Sequence, residues 1–163
     1  MSVSGGTDKI GYYASANYLD QSGLCNVSSD KLKRYTMTAK FNAELSKWVR
    51  LDVNTRFIRK DYDRPSSLSG SLYDNLSMNG WPTTPFRDPY GNIFDGLFQE
   101  VMKLDQGGRY ISQNDELYMQ GALIIEPIKG WTTHLEANYR IYNSAERETW
   151  FLTQSYYTDG TPI

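Results

Sequence analysis

The sequence contains one histidine and one cysteine, which leaves few ways to build a proton-transfer, nucleophilic or metal centre. His134 lies between Thr132 and Glu136 on the polar side of an alternating run, with no histidine or cysteine at ligand spacing, and reads as a polar wall residue. Cys25, in Gly23-Leu24-Cys25-Asn26, has no disulfide partner and no histidine to activate it, so it reads as an incidental thiol. Gly5-Gly6 and Gly107-Gly108 are not phosphate loops, because no Lys-Ser/Thr pair follows them at the needed spacing. No serine occupies a Gly-x-Ser-x-Gly elbow. Asp88-Pro89-Tyr90-Gly91-Asn92, with Asp95 nearby, offers oxygens that suggest calcium, but the spacing is not that of an EF-hand and Asp-Pro-x-Gly is a turn signal. A turn is the reading. No catalytic residue, cofactor or metal site is assigned, and the expectation is a protein that is not an enzyme.

What does gather in one region is a set of aromatic rings: Tyr73, Trp81, Phe86, Tyr90 and Phe94, all between Asp63 and Gln113. Rings on a loop give large contact area at low entropic cost, so they can stack on sugar faces or hold a partner protein. They can equally form the loop's own small core. The same stretch carries Leu68, Leu72, Tyr73 and Leu76 at helical spacing before Asn79-Gly80, and Leu97, Phe98, Val101, Met102 and Leu104 before Gly107-Gly108. Two short helices are expected there. A connection of this length with its own elements is typical of functional loops.

The elements that must carry this loop alternate apolar and polar residues with period two, the pattern of half-buried strands. Five runs are expected as strands, near 9–20, 34–45, 48–62, 116–126 and 131–142. In the second, Tyr35, Met37, Ala39, Phe41, Ala43 and Leu45 oppose Arg34, Thr36, Thr38, Lys40, Asn42 and Glu44. In the third, Val49, Leu51, Val53, Thr55 and Phe57 oppose Arg50, Asp52, Asn54 and Arg56. The fifth sets Trp131, Thr133, Leu135, Ala137, Tyr139 and Ile141 against Thr132, His134, Glu136, Asn138 and Arg140. The first and fourth continue the theme through Ile10, Tyr12, Ala14, Ala16 and Tyr18, and through Leu117, Met119, Gly121, Leu123 and Ile125. The expectation is that no charge lies on an apolar face.

Both a lipid-facing wall and a soluble sandwich core would exclude charge in this way. Strand length and connection length separate them. The runs approach the ~9 to 11 residues that cross a bilayer at a tilt and exceed the common globular length of ~5 to 6. Ser46-Lys47 and Pro127-Ile128-Lys129-Gly130 are tight turns, each carrying a lysine and leading into Trp48 or Trp131, while the other connections are long. A barrel has turns at one membrane surface, loops at the other, and an aromatic girdle at each interface.

Composition agrees: 14% aromatic residues, with 13 tyrosines, accompany a mean hydropathy of -0.60, so rings are plentiful in a polar chain. No stretch nears the ~20 apolar residues of a spanning helix. A net charge of -2 gives no basic footprint, and no nucleic-acid partner is expected. Met1-Ser2-Val3-Ser4-Gly5-Gly6 lacks the basic and apolar regions of a secretory signal, so the chain is expected to be either cytosolic or an internal fragment whose export signal lies upstream.

The run Ser2-Val3-Ser4-Gly5-Gly6-Thr7-Asp8-Lys9, then Tyr12-Tyr13-Ala14-Ser15, Tyr18-Leu19-Asp20-Gln21-Ser22-Gly23 and Lys33-Arg34-Tyr35, resembles the barrel segment of SusC/RagA-like TonB-dependent outer-membrane transporters. The resemblance continues through the Trp48 hairpin, Asp88-Pro89-Tyr90-Gly91 and Ile128-Lys129-Gly130-Trp131, and so covers essentially the whole chain. It implies an all-β, antiparallel up-and-down meander of about five strands, an open part of a barrel of about 22 strands in the outer membrane of a Gram-negative bacterium. The plug domain and the TonB box of such a transporter are absent from this sequence. The implied partners are a SusD-like lipoprotein lid, TonB through the missing N-terminal part, an oligosaccharide or peptide substrate, and outer-membrane lipid. Arg34, Lys40, Arg50, Asp52, Arg56, His134, Glu136 and Arg140 are then lumen-facing, Trp48 and Trp131 are interface aromatics, and the five loop rings contact substrate or lid. The alternative is a secreted all-β carbohydrate-binding module whose apolar faces pack together in a sandwich.

Overall fold

The computed structural model describes residues 1–163 except 69, 80–82, 84–86, 94–98, 155, 158 and 163. Its elements run β1 (Ser2–Gly6), β2 (Ile10–Ser22), β3 (Lys31–Ser46), β4 (Val49–Pro65), α1 (Gly70–Asn79), α2 (Gln99–Gln106), β5 (Arg109–Ile128) and β6 (Trp131–Glu148). The strands form one six-stranded antiparallel meander in chain order, and the sheet does not close. The five alternating runs are all strands, each longer than its pattern suggests. The sixth, β1, was not expected. Its Ser-Val-Ser-Gly-Gly has no alternation to read, and it is a strand because its backbone pairs with β2 from Ser2↔Ser15 to Gly6↔Gly11.

Meander topology sends alternate connections to opposite sheet ends. Residues 7–9, 47–48 and 129–130 close tight turns, whereas 23–30, 66–108 and the stretch after Glu148 are long. The long connection expected at 63–113 is shorter because β4 and β5 extend into it. Trp48 lies in the turn, one residue before β4, while Trp131 is the first residue of β6. Both are more than half exposed.

The chain divides into two compact units. The first comprises Met1–Asp20, Lys33–Asp61 and Gln113–Ala145 and is the regular part of the sheet. It is a single layer: Met37, Phe41, Leu45, Leu135 and Tyr139 on the apolar face are 42–61% exposed, and Ala43 is its one buried apolar residue among those described. On the other face Arg34, Lys40, Arg50, Arg56, His134, Glu136 and Arg140 are exposed and Asp52 is half-buried. A two-sheet core around Tyr35, Leu51 and Leu135 is not present among the described residues, since the strands form one sheet.

The second unit comprises Gln21–Leu32, Tyr62–Ser112 and Glu146–Ile163 and holds the long connections. Both expected helices are there. Leu72 of α1 and Val101, Met102 and Leu104 of α2 are buried as amphipathic spacing requires, as is Ile93, and Met102 packs with Val101 and Ile93, whereas Tyr73 of α1 is exposed, Leu68 precedes α1, and Leu97 and Phe98 lie outside the described residues. This unit therefore has a small core of its own. Arg109 ties its connections together, with Nε donating to Asp63 Oδ1 (2.9 Å) and a terminal nitrogen donating to Ser28 Oγ (3.2 Å).

Candidate functional site

The polar face of the first unit carries the residues expected to line a lumen, and its contacts confirm the alternation strand by strand. Arg50 pairs with Glu44, Arg140 pairs with Glu116, and the side-chain amides of Gln120 and Asn138 both donate to Glu136 Oε1 at 2.9 Å. Every partner has the parity that the sequence assigns to this side. The Arg140 guanidinium also lies over the Tyr118 ring, 5.0 Å from its centroid, a cation–π contact that holds it flat. His134 is exposed here, and no group of three or more His, Cys, Asp or Glu side chains among the described residues is arranged to hold a metal.

The opposite face is bounded at both ends. At the tight-turn end Trp131 opens β6 with the parity of this face, and Trp48 lies in the turn before β4. At the other end Tyr18 and Tyr35 meet across β2 and β3 with ring centroids 5.1 Å apart. The expectation that charge is excluded from this face holds only up to this boundary. Arg59 follows Phe57 with the same parity, lies 5.9 Å from its ring, and pairs bidentately with Asp115 at 2.6 and 2.7 Å. The strands simply run on past the apolar band, where Arg59 and Asp115 neutralise each other. The signal was available: continuing the parity of β4 past Phe57 reaches Arg59 and Asp61.

Of the five loop rings, Tyr73 and Tyr90 are described, and both are exposed, at 62% and 66%. Neither belongs to the loop's core of Leu72, Ile93, Val101, Met102 and Leu104 among the described residues. Trp81, Phe86 and Phe94 lie outside the described residues. Tyr90 sits in the expected turn and has a neighbour that sequence reading missed. Gly160, at φ +82°, lies so close to it that a Cβ there would stand 2.9 Å from the Tyr90 ring. Tyr156 bridges Pro162, and between them Asp159 Oδ1 accepts from Thr161 N–H (3.0 Å) and Oγ1 (2.6 Å). Two turns of similar construction thus meet through one ring.

The carboxylate of Asp88 is occupied by its own turn. Oδ1 accepts from the N–H groups of Tyr90 (2.9 Å) and Asn92 (2.8 Å), and Oδ2 accepts from the Asn92 side chain (2.9 Å). Burial works to raise its pKa but is outweighed by the Asn92 side-chain bond and by the backbone N–H groups of Asn92, Tyr90 and Gly91, so the pKa falls below the usual carboxylate value. A lowered folded pKa means that this support is complete above the unfolded value of about 3.9 and is lost as pH falls through the lower folded value. The Asn92 amide is therefore expected to lose exchange protection in that acid window. In Asp88→Ala the protection should be weak at every pH, with no acid step.

No protein-family model matches the sequence, and no curated protein matches it.

Proposed function

We propose that this chain is a wall segment of an outer-membrane β-barrel importer of the SusC/RagA-like type, acting by binding and gated passage rather than by catalysis. The observation that carries the reading is a single-layer antiparallel meander with an exposed apolar band on one face. At the ~40° strand tilt of such barrels, the ten steps of ~3.3 Å from Tyr35 to Leu45 would rise ~25 Å, the height of their apolar band. Tryptophans bound the band at one end, and paired tyrosines followed by paired charges bound it at the other. In this reading the tight turns face the periplasm and the long connections face the outside, where Tyr73 and Tyr90 are available to substrate or to a SusD-like lipoprotein.

The edge strands β1 and β6 limit what the segment can do alone. Unpaired backbone groups are not tolerated in hydrocarbon, so further strands must flank both edges before the wall can close. Coupling to TonB and closure by a plug belong to other parts of such an importer.

Tryptophan depth tests the reading. In single-tryptophan variants folded in detergent, a brominated detergent tail is expected to quench Trp131 and Trp48 strongly, and to spare Trp150, which belongs to the second unit. Equal quenching at all three positions, or none at Trp131, would remove the basis for a lipid-facing band.

A further inference from the structure

We propose that the polar face carries a binding site for a small carboxylate ligand, in the groove spanning β4, β5 and β6, with Arg56 as its anchor. Asn54, Arg56, Tyr118, Gln120, Asn138 and Arg140 line this groove, two from each strand, and all lie on one face by alternation.

The argument rests on which groups are already engaged. Arg140 is neutralised by Glu116 and stacked on Tyr118, which makes it a fixed wall. Glu136 is occupied by the amide nitrogens of Gln120 and Asn138, so each of those side chains is held in place while its carbonyl oxygen remains an acceptor. Arg56 is different. It is exposed and has no ion-pair or hydrogen-bond partner among the described residues. A guanidinium offers a planar fork of donors that matches a carboxylate bidentately, and Arg140, Gln120 and Asn138 beside it are already engaged with carboxylates of their own. Asn54 adds a second deficit, because its Oδ1 is buried without a donor, so turning its amide toward a ligand sacrifices no bond.

The neighbouring grooves on the same face lack this imbalance. One has Asp52 as well as Lys40 in its lining, and another has Asp8, Glu44 and Asp52 with Lys9 and Arg50, the last paired with Glu44, whereas no carboxylate lines this groove. The ligand that fits is a carboxylate with hydroxyl donors beside it: the acid meets Arg56, and the hydroxyls meet the carbonyl oxygens of Gln120 and Asn138. The inference depends on the sheet alone and stands whether or not a membrane surrounds it.

The test uses the full chain folded in detergent, with sodium glucuronate as the probe and methyl glucoside as its neutral counterpart, read by titration of the arginine Nε–H signals. Glucuronate is expected to shift the Arg56 signal saturably, to bind more weakly as ionic strength rises, and to lose about tenfold or more in affinity in Arg56→Gln. Arg56→Lys, which keeps the charge but not the fork, should fall between. Arg50→Gln, on the same face outside the groove, should bind like the unaltered chain. Circular dichroism confirms that each variant keeps its strand content. No saturable glucuronate shift, equal binding of methyl glucoside, or an equal loss in Arg50→Gln would overturn the proposal, the last by showing only diffuse attraction to a charged face. Failure here leaves tryptophan quenching untouched, and failure of the quenching leaves this site untouched.

Discussion

Leu135→Arg is expected to destabilise the detergent-folded chain strongly, while His134→Arg, one residue earlier, leaves it unchanged. The two positions differ in parity and little else: both are exposed on β6, Leu135 on the apolar face and His134 on the polar one. Leu135 falls near the middle of the band from Trp131 to Ile141, where lipid-facing arginine costs about 2 to 4 kcal/mol. That corresponds to a loss of about 30- to 1,000-fold in the folding equilibrium. Urea unfolding in micelles measures both variants. If the apolar face were merely a solvated surface, Leu135 at 56% exposure would tolerate arginine as well as His134 does. Equal stability of the two variants is therefore the result that removes the lipid-facing reading.

Gly108→Ala is expected to open the pairing at the base of the long connection. Gly108 has φ +107°, and a Cβ there would stand 2.1 Å from the Thr149 carbonyl oxygen, a backbone atom with no flexible side chain to yield. The strain of a positive φ and the displacement of that carbonyl together cost about 3 kcal/mol or more. The displaced segment is held by Thr149 N–H to Arg109 O (2.9 Å) and Phe151 N–H to Gly107 O (3.0 Å). Hydrogen exchange at Thr149 and Phe151 should accelerate by about a hundredfold or more. Gly121→Ala is the control. No atom lies within 4 Å of its added Cβ, and its effect should stay within about 0.5 kcal/mol. Unchanged protection in Gly108→Ala would show that this corner relaxes without loss.

The strands were legible because alternation survives without knowledge of partners. Tyr35 through Leu45 reads as one face whether or not β2 and β4 are known to flank it. The helices were legible for the same reason, from Leu72 and from Val101, Met102 and Leu104. β1 was not, since Ser-Val-Ser-Gly-Gly has one apolar residue and so no period, and only the register with β2 makes it a strand. Strand ends were also misjudged. Arg109 and Asp115 look like loop residues by polarity, yet they belong to β5, because paired backbone continues where the apolar face stops. The site was legible to a similar depth. Parity groups the polar side chains of β3, β4, β5 and β6, and Glu44 with Arg50, Glu116 with Arg140 and Glu136 with Gln120 and Asn138 meet as that grouping requires, but nothing in the sequence separates Arg56 from Arg50 or Arg140.

By itself, then, the sequence determined the period-two faces, the two amphipathic helices, the tight turns and the order of long and short connections, all of which depend on neighbours a few residues apart. The tertiary structure alone decided the pairings between distant residues. Arg59 meets Asp115 across 56 positions, Arg109 reaches Ser28 across 81, and the Tyr90 ring packs on Gly160. These depend on strand register and on where long connections return, which is long-range information that no local pattern of side chains contains.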